Sequence, residues 1–285
     1  MTAAHPLAVT GSTGALGGLV ARLLADSAVP QRLLVRDPSR APALPRTSVH
    51  RSDYADRAAV QAALEGVELL FMVSAAESAD RLDQHRSFVD AAAAAGVRQV
   101  VYTSFLAAAS DAIFTLARDH FATEEHIKAS GMGWTFLRDS FYLDFVASVV
   151  GDDDVIRGPG GTGRCAFVSR ADVARTAAVI LQDPGSHLGC RYDLTGPEAL
   201  SFAEAAEQLS EARGRTITYH DESVEEAYES RRKWPAPAWQ YDAWVSTYSA
   251  IASGDLAEVS TAVLDITGRA PITLAQHLAT ANPPA

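Results

Sequence analysis

Apolar residues in the first half of the chain gather in short, nearly unbroken runs at 7–10, 32–35, 69–74, 100–103 and 135–137. Strands that read as continuous apolar runs are buried on both faces, the mark of a sheet layered between helices. Between the runs, apolar residues recur at helical spacing over 17–25, 58–64, 81–95 and 120–129. Gly96 and Gly131 close two of these stretches, where a helix-stop glycine is expected. Strand and helix thus alternate, which predicts an α/β fold with a parallel sheet. Beyond about residue 140 the rhythm changes. A turn-rich loop occupies 158–163, and Ser169 reads as the N-cap of a helix over 170–182, with Asp172 in its first turn. A late strand is expected at 192–196, then a helix opened by Ser201 with Glu204 at the capping-box position. The stretch 222–244 is acidic, aromatic and broken by proline, which predicts a separate lobe.

The first strand runs directly into Gly11-Ser-Thr-Gly14-Ala-Leu-Gly17, which opens the first helix. In that setting Gly11 permits a tight turn, Gly14 lets a ligand approach the backbone, and Gly17 lets helix and strand pack closely. The unpaired N–H groups of the helix start then favour a pyrophosphate. Gly11, Thr13, Gly14, Ala15, Leu16 and Gly17 are therefore candidate cofactor contacts. The second strand ends in Arg36, where an acidic residue would bind a ribose 2′-hydroxyl. An arginine there reads as a bidentate partner for a 2′-phosphate, so NADPH is expected over NADH. The alternative is a solvent-facing arginine beside Asp37. Asp53 and Tyr54 follow the third strand and are placed beside the adenine; Asp53 either accepts from its amino group or caps a helix starting near Ala55.

These features place the chain in the Rossmann-type class, a doubly wound parallel sheet with a smaller C-terminal α+β substrate lobe. Residues 1–138, with 165–185 returning to them, are assigned to the dinucleotide-binding domain, and 139–164 with 186–285 mainly to the lobe. With 35 acidic against 24 basic residues and a net charge of −11, the chain is not expected to bind nucleic acid. Cys165 and Cys190 have neither a metal spacing nor a disulfide framework, so no metal is expected and a reducing compartment is. No signal peptide or membrane span is evident, so a soluble cytoplasmic monomer or homodimer is expected.

The glycine loop, Val35-Arg36-Asp-Pro, Ser52-Asp53-Tyr54, Tyr102-Thr103-Ser104, the stretch 120–130 and Leu137-Arg138 together resemble the NmrA-like atypical short-chain dehydrogenase/reductases. Phe167-Val-Ser-Arg-Ala-Asp172, Tyr192-Asp-Leu-Thr-Gly196 and Thr267-Gly-Arg-Ala-Pro271 extend the likeness over nearly the whole chain, which is most similar to the NAD(P)H:quinone oxidoreductase type 2 group. The resemblance implies that Ser74 and Ala75 pass the cofactor ribose, that Thr103 and Ser104 lie at the substrate, and that Phe141 and Tyr142 meet the nicotinamide. Phe141, Tyr142 and Phe145 would offer flat apolar surface to an aromatic small molecule, or belong to the lobe's core. Trp234, Trp239 and Trp244 either cap the pocket or simply pack.

The better-known members of that superfamily use a Tyr-x-x-x-Lys pair to protonate a carbonyl oxygen. At the matching place this chain has His120 and Glu124. Glu124 can pair with Lys128 one turn on. His120 is either a proton donor with a pKa suited to neutral pH or a packed histidine. His120, Ser104 and Tyr142 are the catalytic candidates. Ketone reduction makes a strongly basic alkoxide that needs a placed acid; quinone reduction makes a far less basic anion that water or His120 can protonate. The expected activity is hydride transfer from NADPH to a quinone or related conjugated carbonyl. The alternative is a non-catalytic dinucleotide-binding redox sensor acting through protein partners.

Overall fold

The computed structural model describes residues 7–281. In chain order its elements are β1 (Leu7–Thr10), α1 (Ala15–Asp26), β2 (Gln31–Val35), β3 (Thr47–Arg51), α2 (Arg57–Leu64), β4 (Leu69–Met72), α3 (Arg81–Ala94), β5 (Gln99–Phe105), α4 (Thr115–Ala129) and β6 (Gly133–Asp139). There follow α5 (Leu143–Ser148), β7 (Val155–Gly158), α6 (Arg170–Gln182), β8 (Cys190–Leu194), α7 (Phe202–Arg213), β9 (Thr218–Asp221), α8 (Val224–Arg231), α9 (Ala238–Ala252), α10 (Ala262–Thr267) and α11 (Leu274–Ala281).

Seven strands form one sheet in the order β3-β2-β1-β4-β5-β6-β8. The pairings of β1 with β2 and β4, of β2 with β3, and of β4 with β5 are parallel. All four residues of β1 and of β4 are buried, as their apolar runs require. The chain winds outward from β1 in one direction to β3 and in the other from β4 onward. The crevice at the carboxyl ends of β1 and β4 is therefore the switch point at which such sheets bind ligands. Leu16, Val20 and Leu24 repeat every four residues along α1 and bury one face of it.

The chain divides into two compact units. One comprises the described residues through Ser104 together with Asp119–Arg138 and Arg170–Tyr192; the other comprises Phe105–Arg118, Asp139–Ser169 and the residues from Asp193 onward. The boundaries differ from the sequence expectation in three places: 105–118 and 165–169 belong to the second unit, and 186–192 to the first. In the first unit Leu34, Leu70, Phe88, Tyr102 and Phe136 share a core. In the second, β7 pairs in parallel with β9, and Ile156, Phe167, Phe202 and Ile251 belong to one buried cluster. Two capping boxes, Ser201 with Glu204 and Ser223 with Glu226, start α7 and α8.

Some local expectations are corrected. The helix expected from residue 120 starts five residues earlier, at Thr115. Asp172 lies in the first turn of α6 as expected, where it is fully buried and accepts from Arg175. Among the described residues no helix is long and apolar enough to cross a membrane.

Candidate active site

The glycine loop follows β1 at the switch point. Gly11 has a φ of +65°, in the left-handed region that favours glycine, and a Cβ there would come 3.0 Å from that of Val73. Gly17 is held closer still: a Cβ would stand 2.4 Å from the Gly11 carbonyl oxygen and 2.7 Å from that of Thr10. Gly14 differs. Its backbone is extended, and a Cβ would meet only the Gly11 carbonyl, at 3.3 Å. The protein's own packing explains Gly11 and Gly17; the cleared space over Gly14 suits a ligand.

Helix α1 begins without a side-chain cap and without an acidic residue in its first turn, so its leading N–H groups and positive dipole end stay available. Ser12 is 3% exposed, yet its Oγ has no hydrogen-bond partner. A buried hydroxyl left unpaired is costly, and a phosphate oxygen would satisfy it. Thr13, Gly14 and Ala15 are exposed, whereas the Leu16 side chain packs inward, leaving only its N–H to a ligand. The loop therefore fits a dinucleotide pyrophosphate.

Arg36, Ser52 and Asp53 lie together, because β2 and β3 end side by side with Val35 paired to Arg51. Arg36 is exposed and has no ion pair among the described residues. Ser52 is buried with an unpartnered Oγ, a second polar group waiting for a partner. Asp53 does not cap the next helix. It accepts from the Ala55 N–H at 3.2 Å, while Asp56 caps α2 through the Ala59 N–H at 3.0 Å.

The loop after β4 is pinned from every side. Thr10 Oγ1 accepts from the Val73 N–H at 2.8 Å, and the Tyr54 hydroxyl donates to the Val73 carbonyl at 2.6 Å. Thr103 Oγ1 accepts from the Ser74 N–H at 2.9 Å. His85 Nε2 accepts from the Ala75 N–H at 2.8 Å, and Arg81 Nε donates to the Ala75 carbonyl at 3.0 Å. Tyr54 stacks on Phe88 with ring centroids 4.1 Å apart, so it braces this loop instead of lying free beside an adenine. Tyr54, Ser74, Ala75 and Thr103 are thus brought together, as one rigid rim of the switch point.

His120 belongs to the same inner network. Its Nε2 accepts from Arg81 at 2.9 Å and its Nδ1 faces the Tyr102 hydroxyl at 2.9 Å. Burial, then the adjacent Arg81 cation, hold its pKa well below the ordinary imidazole value. His85 is likewise depressed by burial and by Arg81. The expectation of a histidine acid titrating near neutral pH is therefore corrected: His120 is neutral, with both ring nitrogens engaged.

Glu124 does not pair with Lys128, which instead meets Glu125 at 2.7 Å. Glu124 is 1% exposed and takes two bonds from Arg138, at 2.9 Å from Nε and 2.7 Å from Nη2. Ser104 donates to the same carboxylate at 2.5 Å. A carboxylate only accepts, so the Ser104 proton is committed, and Ser104 can offer a ligand only its lone pairs.

In the second unit, Phe141 packs in an aromatic cluster with Phe105, Phe114 and Phe145, at centroid distances of 4.8, 5.2 and 5.5 Å. Phe141 and Phe145 stay partly buried against the core. The Tyr142 hydroxyl donates to Asp139 Oδ2 at 2.7 Å. Asp139 is 3% exposed, has no partner at Oδ1, and burial pushes its pKa up to about 8. Cys165 is buried and Cys190 half-buried, both as free thiols.

Sequence reading missed Arg81, His85, Tyr102, Arg138 and Asp139 as members of these networks. One signal was present: Arg81 opens a helix at the end where a cation opposes the dipole, which asks for a tertiary partner.

The NAD(P)H-binding family model matches residues 11–184. Quinone oxidoreductase 2 of Escherichia coli is 32% identical over 279 residues, covering 95% of this chain and 97% of that protein. An NAD(P)H azoreductase of Xenophilus azovorans is 31% identical over 273 residues, covering 94% and 95%. The crystal structure of the E. coli NADPH-dependent quinone oxidoreductase with NADPH superposes with a TM-score of 0.88 at 31% identity, over 96% of this chain and 99% of that one. The chain belongs to the NAD(P)H-binding family.

Proposed function

We propose that this protein is an NADPH-dependent oxidoreductase acting on quinones or related conjugated carbonyls. The observation that carries the reading is the loss of an acid where the superfamily keeps one: His120 is neutral and the Ser104 hydroxyl donates its hydrogen bond to Glu124. The dinucleotide, when bound, supplies the hydride. The glycine loop and the uncapped start of α1 hold its pyrophosphate, with Ser12 Oγ as a further donor. Arg36, with Ser52 and Asp53 on the adjoining strand end, would hold a 2′-phosphate, which would favour NADPH over NADH. The pinned loop 73–75 and Thr103 hold the cofactor's far half in one place, and positioning is the main contribution a protein makes to direct hydride transfer.

A quinone suits such a site because its reduced anion is weakly basic. Water can protonate it without a placed acid. Titration followed by turnover tests the reading. The protein should bind NADPH and then consume it when a small quinone is added. Tight binding of oxidised and reduced cofactor with no consumption would mark a redox sensor instead.

A further inference from the structure

The second unit carries an open cavity of about 550 Å³ lined wholly by its own residues, none of which belongs to the dinucleotide site. That volume lies within the range of about 300–1,000 Å³ typical of small-molecule pockets. Its walls are aromatic, with Phe145, Trp234, Trp244 and Tyr248. Three cations, Arg157, Arg231 and Lys233, line it against one carboxylate, Asp152, in a chain whose net charge is −11.

The floor is preorganised. The Tyr248 ring lies flat on Gly158, where a Cβ would come within 2.1 Å of it. Arg231 sits 4.9 Å from that ring's centroid, tied to Glu222 at 2.9 Å and to the Arg157 carbonyl at 3.2 Å. Elsewhere in the wall, the Trp234 carbonyl accepts from the Tyr241 hydroxyl at 2.8 Å. Trp234 is 52% exposed and meets Trp244 edge-on, with centroids 6.3 Å apart and planes at 81°. Lys233 Nζ stands 4.2 Å from the centroid of Trp234.

The three cations are not equivalent. Arg157 is neutralised by two bonds to Asp153, and Arg231 by Glu222. Lys233 makes no ion pair among the described residues. The Lys233 ammonium lies over the Trp234 ring as a cation–π contact, so it stands beside two apolar indoles and offers a place for one negative charge there. We infer that this cavity binds a small planar aromatic acid, an aryl sulfonate or carboxylate, with its ring on Trp234 and Trp244 and its anion on Lys233.

The test is isothermal titration of the full chain, saturated with NADP so that the dinucleotide site is closed, using 2-naphthalenesulfonate and its neutral analogue 2-naphthalenemethanol. One sulfonate should bind per chain and quench tryptophan fluorescence. Trp234→Ala should weaken both probes about tenfold, and Lys233→Met should weaken the sulfonate about tenfold while sparing the alcohol. Both side chains are exposed, so the variants should keep the parent's thermal unfolding and NADPH affinity. No saturable binding to the parent, binding retained in both variants, or equal affinity for sulfonate and alcohol would each overturn the assignment.

Discussion

Arg81 donates to Nε2 of His120 across 2.9 Å, and with its Nε it also holds the Ala75 carbonyl at 3.0 Å. One guanidinium therefore holds the rim of the switch point and, second to burial, helps keep neutral the histidine that stands where the superfamily carries its tyrosine. Burial and this cation together keep His120 neutral, so it is no histidine acid.

The two neutral histidines set a pH limb in stability. His85 and His120 have folded-state pKa values below the unfolded value, so the unfolded chain binds the extra protons. Their contribution is whole above the unfolded pKa of about 6.5 and is lost as pH falls below it, at up to ~1.4 kcal/mol per pH unit for each. Urea midpoints measured downward from neutral pH should show that loss, and His120→Gln should make the limb shallower. A limb of unchanged slope in the variant would contradict the assignment.

The glycines of the loop separate folding from binding. Gly17→Ala forces a Cβ to 2.4 Å from the Gly11 carbonyl oxygen and should lower Tm markedly. Gly14→Ala meets only the 3.3 Å contact and should fold with nearly the parent's Tm. Its dinucleotide affinity should nevertheless fall by about tenfold or more, because the methyl fills the space the pyrophosphate needs. Thermal unfolding alongside cofactor titration checks both; parent-like affinity in Gly14→Ala would remove the loop from the binding site.

Glu124 and Arg138 are nearly closed to solvent, so removing one leaves the other as an uncompensated buried charge. Glu124→Gln should cost about 3–5 kcal/mol in chemical denaturation. The double variant Glu124→Gln/Arg138→Met should recover much of that loss. If the double variant loses the sum of the two single effects, the residues do not act as a pair.

Asp139 works in the opposite sense to the histidines. Its pKa rises to about 8 in the folded state, so the folded chain holds a proton that the unfolded chain releases. Stability is therefore lost as pH rises from the unfolded carboxyl value of about 3.9 through the folded one. Asp139→Asn keeps an acceptor for Tyr142 and should gain Tm over the parent by more at about pH 9 than at about pH 5. A gain independent of pH would mean that Asp139 is ionised at neutral pH.

The local features were readable in the sequence because their causes are local. The apolar runs of β1 and β4, the span of α6 and the Ser201–Glu204 box all depend on neighbours within a few positions. The site's chemistry was not readable in that way. Glu124 had a good local partner in Lys128, but Arg138, on β6, reaches it with two bonds inside the protein. His120 looked like a neutral-pH acid until Arg81, thirty-nine residues earlier, was placed against it. Residue spacing shows which groups share a helix face; it does not show which neighbour burial will force a charge to choose.

Steady-state oxidation of NADPH and NADH with a panel of small quinones tests the central claim most directly. The account predicts turnover above background with at least one quinone, a higher kcat/KM with NADPH than with NADH, and an Arg36→Ala variant whose KM rises for NADPH while NADH is nearly unaffected. No turnover above background on any quinone, despite saturating NADPH binding, would contradict it.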